Sequence, residues 1–212
     1  GASINVGDKM KQYTIENDNI SLTILDKGAS ILSLKVLTDK QWRECTLAYE
    51  DIEEYNENLY YLNSVTGPHA GRVKYGKYMD GDKEIQLDCN NQGHHLHGGK
   101  NGTHQHSFKI TKLNNALIAN YYDEKLQIYY QVIFSIDNKE VNINYLAIPK
   151  HKTLINMTQH TYFNLSKENT IENHKLQIDS DKVNALDEQG VPSKEFIDVT
   201  YTVFDFKKTK TL

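Results

Sequence analysis

The feature that most limits what this chain can fold into is a two-residue alternation of apolar and polar side chains, which returns at short intervals with no helical segment between. Ile20, Leu22 and Ile24 are separated by Ser21 and Thr23, so an extended backbone would carry all three isoleucine and leucine side chains on one face. Strand-like runs follow over Lys11–Glu16, Ala29–Leu37, Phe108–Leu113, Leu117–Tyr122, Gln127–Ile136, Glu140–Ile148 and Lys175–Ile178. Asp80-Gly81, Asn114-Asn115 and Asp137-Asn138 stand between such runs, and these residue types favour turns. The one stretch that reads as a helix is Tyr49–Tyr60. No repeat, low-complexity tract or Pro-rich linker breaks the chain. The expectation is a single all-β domain over residues 1–212, built as a large antiparallel β-sandwich.

Composition narrows the partners. The 212 residues are enough to bury a core, and a formal charge of -4 with lysines and glutamates interspersed leaves no basic face for nucleic acid. No apolar run approaches the roughly 20 residues that a membrane span requires. The opening residues GASINVGDKMKQ lack a hydrophobic region, so no signal peptide is expected. Two cysteines, Cys45 and Cys89, make no disulfide framework and fit a reducing cytoplasm.

Five of the nine histidines fall in Gln92–His106, QGHHLHGGKNGTHQH. Imidazole buries poorly and titrates near neutral pH, so such a cluster suggests chemistry on a small polar molecule. On an extended backbone His95 and His97 would share one face and His94 the other, while His104 and His106 would form a second pair. The last two read as surface loop residues. His97 reads as functional, because Gly98 and Gly99 follow it and let other groups approach.

Three further places could carry chemistry. In TGPHAGRVKYGKY, Arg72 offers a rigid fork of donors suited to sugar hydroxyls or carboxylates, and taken alone it reads as a surface arginine. His69 in the same run reads as structural. In TLINMTQHTYFNL, alternation places His160, Tyr162 and Asn164 on one face, a wall of hydrogen-bonding groups or a buried polar ladder. The Val183–Phe206 stretch, ending in Phe204-Asp205-Phe206, reads as structural. His95-Leu96-His97 also has the form that supplies two imidazoles to a metal in cupins, with His160 as a third ligand. The glutamate expected a few residues later is replaced by Asn101, Gly102 and Thr103, which weighs against a metal.

Together AGRVKYGKY, HLHGGKNG, INMTQHTYFNL and VNALDEQGVPSKEFIDVTYTVFDFKK resemble the galactose mutarotases (aldose 1-epimerases), in the same order and at similar separations. The resemblance implies the large galactose mutarotase-type β-sandwich, with its C-terminal strands missing here. It also implies interconversion of the α and β anomers of a free hexose such as galactose or glucose, with no cofactor and no metal. His160 matches the general acid and His97 a second catalytic histidine that holds the sugar. Arg72 matches a donor to sugar hydroxyls, and Thr161 and Tyr162 fall in the sugar-contacting run. The residue before the arginine is usually asparagine; Gly71 stands there and removes one polar contact.

The family's base, a glutamate, and a sugar-binding aspartate would lie beyond Leu212. The chain alone is therefore expected to be a weak mutarotase or none, and its open sheet edges are expected to allow self-association. The alternatives are a non-catalytic carbohydrate-binding protein of the same fold, a relative acting on a sugar phosphate, and the cupin-like metalloenzyme. A sugar phosphate calls for clustered arginines, and the sequence has only Arg43 and Arg72.

Overall fold

A computed structural model describes residues 9–212; the reading of the extreme N-terminus lies, for residues 1–8, outside the described residues. Strands β1 (Gln12–Glu16), β2 (Ile20–Leu25), β3 (Ser30–Thr38) and β4 (Gln41–Glu44) form one antiparallel sheet in chain order. A second four-stranded sheet has the same sequential order. It consists of β10 (Lys109–Leu113), β11 (Ala116–Asp123), β12 (Ile128–Asp137) and β13 (Glu140–Pro149). Asn114 (φ 52°) and Asn138 (φ 53°) enter the left-handed region at two of the three hairpin turns of this second sheet, as asparagine does more readily than most residues.

The alternation dictates the core. Ile128, Tyr130, Val132, Phe134 and Ile136 of β12 are all buried and face Ile15, Leu22 and Ile24 of the other sheet, with Leu117 and Ala119 beside them. Each such side chain contributes on the order of 1.5–3 kcal/mol by leaving water, which is why period two governs these strands. The turns are stitched as well: Asn17 Nδ2 donates to the Asn138 carbonyl at 2.9 Å and Asn19 Nδ2 to Asn138 Oδ1 at 3.1 Å. β13 is the outer strand of its sheet and leaves Leu146 and Ile148 exposed.

Short pairings connect and follow the two sheets. They are β5 (Val65–Thr66) with β14 (Thr158–Gln159), and β6 (Arg72–Val73) with β9 (His95–Leu96). The others are the hairpins β7 (Lys77–Asp80) with β8 (Lys83–Gln86) and β16 (Lys182–Leu186) with β17 (Pro192–Asp198), and the pair β15 (Lys175–Leu176) with β18 (Lys210–Thr211). The expected strand at Lys175–Ile178 is thus only two residues of β15. The expected helix at Tyr49–Tyr60 is a single 3-10 segment, Ile52–Asn56. Buried Asn58 draws the chain out of it: its Oδ1 accepts from Leu62 N–H and Tyr49 O–H, and its Nδ2 donates to Ser64 Oγ. No described helix is long and apolar enough to cross a membrane.

Candidate active site

The β6–β9 pairing sets Arg72 opposite Leu96 and leads the chain into Leu96-His97-Gly98-Gly99. At His97 the backbone turns left-handed (φ 50°), and Gly98 (φ 84°) and Gly99 (φ 71°) continue the turn. A methyl group on Gly98 would overlap the Gly67 carbonyl of the backbone, one on Gly99 would displace the Asp88 carboxylate, and both positions have the left-handed φ that glycine takes without strain. This bend separates the histidines that simple alternation would have put on one face.

His95 turns inward. Its Nδ1 faces the Asp88 carbonyl at 2.9 Å and so carries a hydrogen, and its Nε2 meets His69 Nδ1 at 3.2 Å. Burial, then the neighbouring His95, pushes His69 down to about 4. His94 is also committed: its Nδ1 accepts the Tyr75 N–H at 2.9 Å and its Nε2 lies 2.6 Å from Gln189 Oε1. A cavity of about 490 Å³ opens beside His69 and His95 and is lined largely by apolar groups such as Tyr78, Ile85, Leu87 and Leu126; neither His97 nor His160 lines it.

His97 faces another way. Its Nδ1 accepts the Gly71 N–H at 3.0 Å while its own N–H donates to the Gly71 carbonyl at 3.0 Å. A backbone N–H can only donate, so a neutral His97 must hold its proton on Nε2. Burial, then His160 and Arg72, pushes its pKa down to about 4, which keeps the ring neutral near pH 7. Gly71 (φ 78°) is in the left-handed region that glycine takes without strain, and no atom lies within 4 Å of where a side chain would begin. Arg72 is steadied by one hydrogen bond, Nε to Asn91 Oδ1 at 3.3 Å.

His160 comes from a distant segment and meets His97 edge to face, ring centroids 5.1 Å apart at 83°. The backbone around it is pinned by Asn63: His160 N–H donates to Ser64 O, Asn63 N–H to His160 O, and Tyr162 N–H to Asn63 Oδ1. Thr161 N–H turns back to the Gln159 carbonyl at 2.9 Å. Tyr162 packs beside His160 at 5.2 Å and donates its hydroxyl to the Tyr60 carbonyl. Asn164 does not join this wall. The chain is irregular after Gln159, and Asn164 caps a turn through Ser166 and Glu168.

Tyr61, not singled out from the sequence, is the hub. Its ring lies 4.6 Å from His97, 4.5 Å from His104 and 6.0 Å from His160. Burial raises its phenol, opposed by a hydrogen bond with Asn90. His104 is no surface loop residue: it is 4 % exposed, packed on Tyr61, and pushed by burial, then His97, down to about 4. His106 stacks instead on Tyr121 at 4.6 Å, since a 3-10 turn over Thr103–Gln105 breaks the expected pairing. The only signal for Tyr61 was an aromatic run beside Asn63, too common a pattern to single it out.

Arg72, Gly71, His97, His160 and Tyr162 are therefore linked through adjacent contacts around Tyr61. Among the described residues no three histidine, cysteine, aspartate or glutamate side chains converge to hold a metal, so the cupin-like reading has no ligand set there. The only histidine nitrogen among them that lies within 4.0 Å of a carboxylate oxygen is His95 Nδ1, 3.4 Å from Asp88 Oδ1.

Comparison with known proteins agrees in both sequence and shape. Residues 11–212 match the family model described as aldose 1-epimerase. The chain is 30 % identical over 218 residues to the aldose 1-epimerase of Escherichia coli K12, covering 97 % of this chain and 63 % of that protein. It is 28 % identical over 211 residues to the galactose mutarotase of Bos taurus, covering 94 % and 61 %. Among solved structures, a galactose 1-epimerase from Lactobacillus acidophilus NCFM superposes with a TM-score of 0.81 at 28 % identity, over 96 % of this chain and 67 % of that one. A GalM/aldose epimerase homologue from C. elegans shares the fold at a TM-score of 0.90 and 22 % identity, over 96 % and 66 %. The chain thus spans about three-fifths of the length of the curated relatives it matches. It is a member of the aldose 1-epimerase family.

Proposed function

We propose that this chain binds a free hexose such as galactose or glucose and contributes the acid side of anomer interconversion. Mutarotation opens the pyranose ring: the anomeric hydroxyl loses a proton, the ring oxygen gains one, rotation about C1–C2 exposes the other carbonyl face, and the ring closes again. The observation that carries the reading is the edge-to-face His97–His160 pair, in which one imidazole is fixed and neutral and the other is, among the described residues, engaged only by aromatic neighbours. His160 delivers the proton to the ring oxygen. His97, with Nδ1 occupied, points an Nε2–H donor at a sugar hydroxyl and holds the substrate.

Arg72 donates to further hydroxyls from its unspent Nη groups, and Thr161 and Tyr162, which follow His160 in the chain, contact the sugar from its side. Gly71 contributes its backbone N–H to His97 and no side-chain contact. Arg43, the other arginine, lies on β4 and reaches the Leu165 carbonyl, so no arginine cluster favours a sugar phosphate. No described residue of this chain is assigned as the base. One domain over the described residues, a reducing compartment for the two free thiols, and pairing of the exposed β13 edge with a second copy belong to the same reading.

Polarimetry of fresh α-galactose decides between enzyme and binder. With the base assigned to no residue here, the expected result is at most a weak catalysed component, which His160→Asn lowers further; where a base is supplied, the loss expected from His160→Asn is roughly 10²–10⁴. A catalysed component untouched by His160→Asn overturns the role of His160. Sugar binding with no catalysed component favours a second reading, a carbohydrate-binding protein, which the lack, among the described residues, of a carboxylate paired with His97 or His160 supports.

A further inference from the structure

The tip of the β16–β17 hairpin reaches the candidate site. β17 is exposed along its whole length, whereas Val191 at the tip is 3 % exposed. The tip is preformed: Asp187 Oδ1 accepts from Gln189 N–H at 2.9 Å and Val191 N–H at 3.0 Å, and Gly190 N–H donates to the Asp187 carbonyl at 3.0 Å. Gly190 is left-handed (φ 78°), a conformation that most side chains resist. These local bonds leave the Gln189 side chain free to reach outward.

It reaches buried His94. Because His94 Nδ1 accepts the Tyr75 N–H, its Nε2 carries the hydrogen and donates to Gln189 Oε1 at 2.6 Å. His94 in turn exchanges both backbone hydrogen bonds with Asn91, N to O at 2.8 Å and O from N at 3.0 Å. Asn91 Oδ1 then accepts from Arg72 Nε. Gly190 meets Arg72 directly: a methyl group there would lie 3.2 Å from Nη1 and 3.6 Å from Cζ. A segment about a hundred residues further along the chain thus both walls the guanidinium and braces the hydrogen bond that orients it.

We infer that Gln189 and Gly190 are positioning residues for Arg72, the first through His94 and Asn91 and the second by covering one side of its fork. The inference rests on the reading of Arg72 as a sugar ligand. With Gln189 removed, the His94 Nε2–H is left without its partner, the tip keeps only the exposed Lys74–Asp187 pair at 3.9 Å as a polar tie to the neighbouring segment, and the Arg72 fork becomes free to swing. The hairpin thereby sets how well the cleft holds a hexose without touching it.

Only two arginines are present, so an arginine Nε–H NMR spectrum contains two signals, and Arg72→Lys assigns them. Gln189→Leu should shift or broaden the Arg72 signal, leave that of Arg43 in place, and weaken galactose binding roughly 3–10-fold, the worth of one lost hydrogen bond. Gln189→Glu keeps an acceptor for His94 and should restore both readouts. Phe196→Ser, in the exposed part of the same hairpin, should change neither. An unchanged Arg72 signal in Gln189→Leu overturns the inference whatever the sugar data show. An Arg72→Lys variant that binds galactose as tightly as the parent overturns the sugar reading instead.

Discussion

Two sets of imidazoles lie within one stretch of chain and are put to opposite uses. His94 and His95 have both ring nitrogens engaged, by Tyr75, Gln189, Asp88 and His69. His97, two residues on, has one nitrogen engaged by Gly71 and meets the His160 ring at 5.1 Å between centroids. The side chains are identical, so the difference comes from the backbone. The left-handed turn that begins at His97 and is completed by two glycines rotates that ring out of the scaffold and toward Tyr61. A histidine becomes available for chemistry here when the chain bends before its second nitrogen finds a structural partner.

The comparison breaks most visibly under acid. His69 from the scaffold set and His97 and His104 from the Tyr61 cluster are each pushed down to about 4 by burial. An unfolded imidazole titrates near 6.5, so between these values unfolding takes up protons that the folded chain refuses. Stability is therefore complete above about pH 6.5 and declines as pH falls toward 4. Each of the well-buried rings, His69 and His104, contributes up to about 3 kcal/mol, and the adjacent His97 and His104 do not add independently. Urea midpoints at pH 7.5 and 4.5 check this: a drop of several kcal/mol is expected, and an unchanged midpoint would show that these rings are not held neutral.

The next effect tests the bend itself. Gly98→Ala forces a Cβ into the Gly67 carbonyl and a left-handed φ on alanine, which should cost about 2 kcal/mol or more. It should also disturb the His97–His160 pair more than the His69–His95 pair, because β9 precedes the bend. Ring chemical shifts report the difference; equal disturbance of both pairs would argue that the turn does not separate them.

Sequence alone reached the sheets and only part of the site, for physical reasons. β2 and β10 to β13 were legible to within a residue or two because one-sided burial imposes period two on their residues. β17 shows no such signal because every position is exposed, leaving nothing to alternate. His97 stood out through the glycines after it, and His160 through its polar, aromatic neighbours. Tyr61, Asn63 and Gln189 were missed because their partners lie from about 36 to 100 residues away, and no local spacing encodes such contacts.

The smallest expected effect gives the sharpest separation of the two sets. Galactose added to the ring-labelled protein should move the nitrogen signals of His97 and His160 and leave those of His69 and His95 in place. The reason is positional: the scaffold pair spends its facing nitrogens on each other and on Asp88, while the His97 Nε2–H has no hydrogen-bond partner among the described residues to give up before meeting a hydroxyl. Binding there exchanges water for sugar at a donor already aimed, so the gain per hydrogen bond is modest, about 1 kcal/mol. His97→Asn should accordingly weaken binding by roughly 5-fold or more while the His69 and His95 signals keep their positions. If galactose instead moves His69 and His95, the sugar enters the cavity beside them, and the assignment of His97 to substrate is wrong.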